Sequence, residues 1–104
     1  MAEINSVEIY WTDKAKFTFS EIILFLENNW TEKEIETFVS KTFHIISLIQ
    51  VNPLIFKSSS KRKNFHLAVI DKNNVLVYMH NYKQNRIEIL ILWDVKQNPK
   101  KLKF

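Results

Sequence analysis

The residues best suited to acid–base chemistry are two histidines, His66 and His80, which lie in consecutive predicted strands. Imidazole changes its charge near neutral pH, so such a pair can supply the base and the acid that RNA cleavage requires. The reaction also needs cations for the phosphate. Four bases precede the first of these strands: Lys57, Lys61, Arg62 and Lys63. The simpler interpretation, which we favour, is that both histidines are exposed strand residues without a chemical role.

The segment 57–63 is the most distinctive local feature of the sequence, because it combines three serines with four bases. Hydroxyl groups donate hydrogen bonds to phosphate oxygens, and ammonium groups neutralise their charge. The segment is therefore a candidate surface for nucleic acid or another target, although its composition fits a solvated loop equally well. Lys96 belongs to a second basic stretch, the C-terminal tail 95–104, and is a further candidate contact.

The net charge of +4 hides a division between the two halves of the chain. Residues 1–50 carry four bases and eight acids, and residues 51–104 carry eleven bases and three acids. The net charges of the two halves are −4 and +8, respectively. This asymmetry favours a second half that meets a polyanion or an acidic partner. Thirteen of the fifteen bases are lysine, which is also the usual residue of a merely soluble surface.

Several classes of protein are excluded by residue types that the chain lacks. The 104 residues contain no cysteine and no glycine, which excludes disulfides, thiolate metal sites and glycine-rich phosphate loops. Three scattered histidines do not have metal-ligand spacing, so we expect no metal and no small-molecule cofactor. No apolar run approaches a membrane span, and we find no secretory signal. We expect one cytoplasmic domain over residues 1–104, without a membrane partner.

Two helices with a short link are predicted in the first half, after a short strand that ends at Trp11. Thr12 or Asp13 caps the first helix. Phe17, Leu24 and Phe25 lie off its apolar stripe, which predicts a second contact surface. The candidate partner-binding residues are Phe17, Phe25 and Trp30, the last of which lies at the tip of the helical hairpin. Thr31 and Glu34 form a capping box for the second helix. Asn52-Pro53 is its stop signal.

Three strands are predicted in the second half. Closing the first hairpin at Asn73-Asn74, where an asparagine replaces glycine at positive φ, pairs His66 with Met79 and makes the two histidines diagonal neighbours at best. The last strand is expected to place on one face Ile87, Ile89, Ile91 and Trp93. The predicted fold class is a two-layer α+β sandwich: an N-terminal strand, an antiparallel helical hairpin, then a three-stranded antiparallel meander (β-α-α-β-β-β).

Four strings, in this order and spacing, resemble the RelE/ParE superfamily of bacterial type II toxins. The start of the chain, Ile9 to Ala15, is similar to that family's usual start. The Asn-Trp-Thr-Glu-Lys stretch at 29–33 and the helix exit Asn52-Pro53 are similar as well. The segment 92–99 resembles the W-D-x-R-Q-N-P ending of a ParE-like branch. The resemblance spans roughly residues 7–102.

The resemblance implies a toxin that a cognate antitoxin neutralises by covering the helical hairpin and the sheet edge. RelE-like members cut messenger RNA on the ribosome, and ParE-like members poison DNA gyrase. The nuclease branch has an arginine on its middle strands, where this sequence has His66 or His80, and Lys96 replaces the arginine of the ParE-like ending. The ParE-like ending and the missing catalytic pattern of the nuclease branch favour a gyrase poison without catalysis of its own. A ribosome-dependent endoribonuclease, and a non-catalytic nucleic-acid-binding or inactive remnant, are the alternatives.

Overall fold

The computed structural model describes residues 7–62 and 64–95. Within these residues the element order is β-α-α-β-β-β, which confirms the predicted fold class. The elements are β1 (Glu8–Trp11), α1 (Asp13–Asn29), α2 (Glu32–Val51), β2 (Phe65–Val69), β3 (Asn74–Asn81) and β4 (Arg86–Asp94). Neither helix of the described chain is long and apolar enough to span a lipid bilayer.

The four strands form one mixed sheet in the order β1-β4-β3-β2. β2, β3 and β4 are the predicted antiparallel meander, whereas β1 pairs with β4 in the parallel sense. Parallel neighbours cannot be joined by a tight turn and need a long crossover connection. The helical hairpin, together with β2 and β3, provides that connection, so the N-terminal strand returns beside the last one.

Both helices begin, and α2 ends, at the residues that the sequence predicts. Thr12 is the N-cap of α1, and its hydroxyl accepts the N–H of Ala15. The capping box of α2 is present, with the Glu34 carboxylate accepting the backbone N–H of Thr31. α2 ends at the C-cap Asn52, because the following proline disfavours the helical conformation there.

The core lies between the helical hairpin and one face of the sheet, which we call the inner face. Its buried side chains are Ala15, Phe38, Ile46, Ile49, Ala68, Ile70, Leu76, Tyr78, Ile87, Ile89 and Leu92. Thr42 is also buried, and its hydroxyl donates to the carbonyl of Phe38 one turn earlier, so no polar atom is left without a partner there. The predicted stripes of both helices therefore form the helical side of the core.

The β2–β3 hairpin differs from the prediction by one residue. Its turn is longer because the carbonyl of Asn74 accepts the N–H groups of both Ile70 and Asp71. His66 therefore pairs with Tyr78, and the predicted pairing with Met79 is wrong. Since a shift of one residue moves side chains to the other face, this register decides where the histidines lie.

The positive φ expected in this first hairpin occurs instead in the second one. Asn85, in the turn between β3 and β4, has a φ of 50° and is the one described residue with a positive value. Asparagine tolerates this left-handed conformation better than most residues do. In a chain without glycine, it takes the position that glycine would usually occupy.

A β-bulge interrupts the pairing of β3 with β4. Val77 pairs with Ile91, but the next residue, Tyr78, pairs with Ile89. Leu90 is therefore an extra residue in β4. A bulge of this kind bends the strand and reverses the alternation of side chains beyond it.

The face reversal contradicts the predicted pattern of β4. Leu92 joins the core, whereas Ile91 and Trp93 lie on the opposite, outer face of the sheet. The four residues predicted to share one face are thus divided between the two faces. Trp93 is only half-buried as a result.

Two threonines of the α1 region hydrogen-bond to the edge of β4 beside the bulge. The Thr12 hydroxyl donates to the carbonyl oxygens of Ile89 (2.9 Å) and Leu90 (3.1 Å). The Thr18 hydroxyl oxygen accepts the N–H of Leu92 at 3.0 Å. Backbone groups that β1 is too short to reach are satisfied by these side chains.

We expect Thr18→Val to destabilise the protein by about 1–3 kcal/mol, because it keeps the side-chain shape but leaves the Leu92 N–H without an acceptor. Urea unfolding measures the loss. Thr18→Ser is the matched control, since it keeps the hydroxyl and should retain most of the stability. A Thr18→Val variant as stable as Thr18→Ser would contradict this role of the hydroxyl.

Candidate functional site

An open groove of about 830 Å³ lies between α1, the start of α2 and the C-terminal end of β4. It brings together the three residues proposed from the sequence to bind a partner: Phe17, Phe25 and Trp30. Their exposed fractions are 63%, 53% and 57%, which is high for large apolar side chains. We call this feature the hairpin groove.

Helical spacing explains why these aromatic residues lie outside the core. Ala15, on the inner side of α1, is completely buried. Phe17 and Phe25 are displaced from it around the helix and project beside β4, where Leu92 and Trp93 complete the wall. The groove is therefore a direct result of an apolar helix surface that the sheet does not cover.

Charged residues of both signs surround the apolar floor of the hairpin groove. The bases are Lys14, Lys33 and Lys72, and the acids are Glu21, Glu34, Asp71 and Asp94. The hydrogen bond from the Thr31 hydroxyl lowers the pKa of Glu34, which keeps this carboxylate charged. An apolar centre with a mixed polar rim is typical of protein-binding surfaces.

The β2–β3 turn closes one end of the groove and is held by Asp71. One oxygen of its carboxylate, Oδ1, accepts the backbone N–H groups of Asn73 (2.8 Å) and Asn74 (2.9 Å). The amide of Asn74 also donates to this carboxylate. These bonds give the turn a defined shape beside Lys72 and Trp93.

The basic segment runs along the free edge of β2. Ser58 forms a bridge with His66, the Ser59 N–H donates to Phe65, and the Leu67 N–H donates to Lys57. The segment is therefore anchored by backbone hydrogen bonds. Its described bases are all exposed: Lys57, Lys61 and Arg62. The other two predicted contacts, Lys63 and Lys96, lie outside the described residues, as does nearly all of the tail 95–104.

His66 is buried on the inner face of the sheet. Its Nδ1 lies 2.9 Å from the carbonyl oxygen of Phe56, which can only accept, so Nδ1 carries the proton. The ring stacks on Tyr78, with centroids 5.1 Å apart. The Tyr78 hydroxyl donates to the carbonyl of Pro53, and burial raises the pKa of Tyr78 to about 12. The pair therefore fastens the chain after α2 to the sheet.

His80 lies two residues beyond Tyr78 on the same inner face, so the two histidines are diagonal neighbours. Its Nε2 is buried and, within the described residues, has no hydrogen-bond partner. The ring contacts that of Tyr82, with centroids 4.2 Å apart. Burial, and then the charge of His66, lower the pKa of His80, which keeps the ring neutral at physiological pH.

A polar cluster on the outer face was not found by sequence reasoning. The Arg86 guanidinium donates to the Glu88 carboxylate at 2.9 Å and lies 4.2 Å from the centroid of the Tyr10 ring. The Asn81 amide also donates to Glu88. The i, i+2 spacing of arginine and glutamate was a visible signal, but the contact with Tyr10 depends on the parallel pairing of β1 with β4.

No metal centre can be assigned in residues 7–62 and 64–95. Nowhere among them do three or more histidine or carboxylate side chains converge as metal ligands would. The chemically distinct features are thus the hairpin groove, the basic segment on the β2 edge, the two inner-face histidines and the outer-face cluster.

Structural comparison identifies the fold. The toxin–antitoxin system ParDE of Pseudomonas aeruginosa contains a chain that aligns with a TM-score of 0.70 and 13% identity, over 86% of this chain and 97% of that one. The YoeB dimer of Staphylococcus aureus gives 0.60 and 19% over 85% and 95%. The toxin–antitoxin complex RelBE2 of Mycobacterium tuberculosis gives 0.59 and 13% over 86% and 98%.

The chain therefore has the fold of the RelE/ParE superfamily toxins, as the resemblance of its sequence strings predicted. No protein-family model matches the sequence, and no curated protein is significantly similar to it. Identities of this size establish a shared architecture. The alignments cover nearly the whole of each similar chain, so the likeness concerns complete toxin domains.

His80 predicts an acid-side loss of stability. Its pKa in the fold lies below the ordinary value of 6.5, so the folded protein binds fewer protons than the unfolded chain. The contribution of His80 to the free energy of unfolding should be fully present above pH 6.5. It should be lost as the pH falls below 6.5 towards the lowered pKa. We expect His80→Gln to flatten this part of the profile in urea unfolding between pH 5 and 8.

The matched control for this experiment is His44→Gln, because His44 is an exposed histidine of α2. It should leave the wild-type profile unchanged. If His44→Gln flattened the curve as much as His80→Gln, the inner-face position would not be the cause.

Proposed function

We propose that this protein is the toxin of a type II toxin–antitoxin system, that it acts in the cytoplasm on DNA gyrase as ParE-like toxins do, and that a cognate antitoxin neutralises it. The observation that carries the proposal is the fold, shared over nearly full length with chains of toxin–antitoxin complexes. The ParE-like choice is supported by the sequence at residues 92–99 and by the TM-score of the ParDE chain, which is the highest of the three given above.

The hairpin groove supports the antitoxin half of the proposal. It exposes Phe17, Phe25 and Trp30 to solvent, and isolated soluble proteins rarely leave so much contiguous apolar surface uncovered. Aromatic anchors in a groove with a charged rim are the usual centre of a protein interface. A partner segment that covers them would contact both the helical hairpin and the end of β4.

The placement of the histidines supports action by binding rather than by catalysis. His66 and His80 lie on the inner face of the sheet. His66 contacts the Phe56 carbonyl of the chain that follows α2, and the Nε2 of His80 is shielded from solvent. A general base must reach the substrate proton at hydrogen-bond distance. In this conformation the His66 ring is buried, whereas the bases of the 57–62 segment are exposed.

The main alternative is a ribosome-dependent endoribonuclease. It is favoured by one specific observation: the segment that carries Lys57, Lys61 and Arg62 pairs through Ser58 with the backbone of His66, whose Nε2 is a potential base. An inactive remnant that keeps only antitoxin binding is the third candidate. Assays of growth and of each target separate the three.

The groove proposal predicts that Phe25→Glu abolishes neutralisation by the antitoxin while growth inhibition persists, because the new charge would be buried in the interface. Co-expression with the cognate antitoxin, followed by a pull-down, measures both effects. Leu24→Glu is the matched control, since Leu24 is equally exposed on α1 but does not line the groove. Loss of binding in both variants would contradict a role specific to the groove.

The target proposal predicts that the purified protein inhibits gyrase supercoiling and does not cut ribosome-bound message. The double variant Lys61→Ala/Arg62→Ala should reduce inhibition at least tenfold and keep the wild-type unfolding midpoint, because both side chains are exposed. Cut message without gyrase inhibition would replace the gyrase proposal with the nuclease. Full activity of the folded double variant would exclude this edge as the working surface.

A further inference from the structure

The part of the chain that the structure describes ends beside the hairpin groove. The N–H of Val95 donates to the carbonyl of Asn73 at 2.8 Å, which joins the end of β4 to the β2–β3 turn. Asn73, Trp93 and Asp94 line the groove. The C-terminal tail therefore starts at the end of the groove that this turn closes.

β4 and α1 run side by side in the same direction. The Thr12 hydroxyl donates to the carbonyl oxygens of Ile89 and Leu90. Thr18, six residues further along α1, accepts the N–H of Leu92 further along β4. A chain that continues in the direction of β4 therefore follows α1 towards the link between the two helices, without reversing its course.

The length of the tail is sufficient to cover the groove. Beyond Val95 the sequence has nine further residues, 96–104, which span about 30 Å when extended. Phe17 and Trp30 both line the groove, and between them the helix rises by about 20 Å. The tail can therefore pass along the whole aromatic side of α1.

The segment 21–36, which we call the hairpin tip, carries a charge opposite to that of the tail. It has five acids and one base, a net charge of −4, and its members Glu21, Lys33 and Glu34 line the groove. The tail has four basic side chains and no acidic one, a net charge of +4. Opposite charges of this size favour contact between the tail and the hairpin tip.

Two apolar residues of the tail suit the floor of the groove. Leu102 and Phe104 alternate with Lys101 and Lys103. In an extended segment, such alternation places the apolar side chains on one side and the charged side chains on the other. The tail can thus cover the exposed aromatic residues while its lysines reach the acidic rim.

We propose that in the protein without a bound partner the C-terminal tail occupies the hairpin groove, with Leu102 and Phe104 on its apolar floor and the lysines at its acidic rim. A tethered segment has an effective concentration on the order of millimolar, so it covers the groove without a second molecule. The occupancy concerns the protein alone and goes beyond the proposed function. That the antitoxin then has to displace the tail is a consequence that rests on the proposed function.

Cross-linking of the full chain tests the proposal, because a chain without cysteine can be labelled at two chosen positions. Lys103→Cys is combined with Lys33→Cys in the groove, or with Lys41→Cys, which is exposed on α2 but does not line the groove. A short bismaleimide should join the first pair within one chain at least fivefold faster than the second. Equal rates, or a main product with the mass of two chains, would overturn the proposal.

Two charge variants separate contact in the groove from general attraction to the hairpin tip. Glu21 and Glu27 are both exposed on α1, and of the two Glu21 lines the groove. Glu21→Gln should slow cross-linking of the first cysteine pair at least twofold, whereas Glu27→Gln should leave the rate unchanged. Equal effects of the two variants would contradict a tail seated in the groove.

Binding of the dye 8-anilinonaphthalene-1-sulfonate, which fluoresces on exposed apolar surface, gives a second readout. Leu102→Ser/Phe104→Ser should raise its fluorescence at least twofold, because the groove loses its cover. If the tail of the wild-type protein were outside the groove, the same change would lower the fluorescence or leave it unchanged, and either result would overturn the proposal. An unchanged melting midpoint by circular dichroism shows that the variant is folded.

Both measurements use the protein alone, so neither depends on gyrase, message or antitoxin. A protein that fails these tests but still binds its antitoxin through the groove would refute the tail inference and retain the proposed function. Cross-linking in the groove of a protein that neither arrests growth nor binds an antitoxin would do the reverse.

Discussion

The hydrogen-bonding edge of β4 beyond β1 is the constraint on which the rest of this structure depends. β1 has only four residues, so the later part of β4 would present unpaired backbone groups. Thr12 and Thr18 satisfy them through the carbonyl of Leu90 and the N–H of Leu92. Because Thr12 is the N-cap of α1 and Thr18 lies in its second turn, the same bonds fix that helix against the sheet and leave Phe17 and Phe25 open in the hairpin groove.

The bulge at Leu90 gives the two ends of β4 different roles. Before it, Ile87 and Ile89 face the core and their neighbours Arg86 and Glu88 face outward. After it, the alternation is reversed, and Trp93 reaches the groove from the outer face. One inserted residue thus allows a single strand to carry a charged cluster at its start and an apolar wall at its end. A regular strand would have placed Trp93 in the core.

The helices and the order of elements could be predicted because they depend on residues close together in the sequence. The geometry of the sites depends instead on how the β-strands pair. The capping box at Thr31 and the stop at Asn52-Pro53 act within a few residues, so sequence alone locates them. The predicted strand partner of His66 was wrong by one residue because the Asn74 carbonyl accepts two N–H groups in the turn. The outer-face cluster was missed because Tyr10 and Arg86 meet only through the parallel pairing of β1, which joins residues distant in the chain.

The hairpin groove and the outer-face cluster lie at opposite ends of β4, and this separation bears on how much of the protein a partner could cover. From Arg86 to Asp94 a strand of nine residues extends about 27 Å. A segment seated in the hairpin groove contacts the C-terminal end of β4, so it reaches Arg86 and Glu88 only if it continues across the outer face. A partner that is confined to the groove would therefore leave the charged cluster uncovered while it blocks the apolar surface.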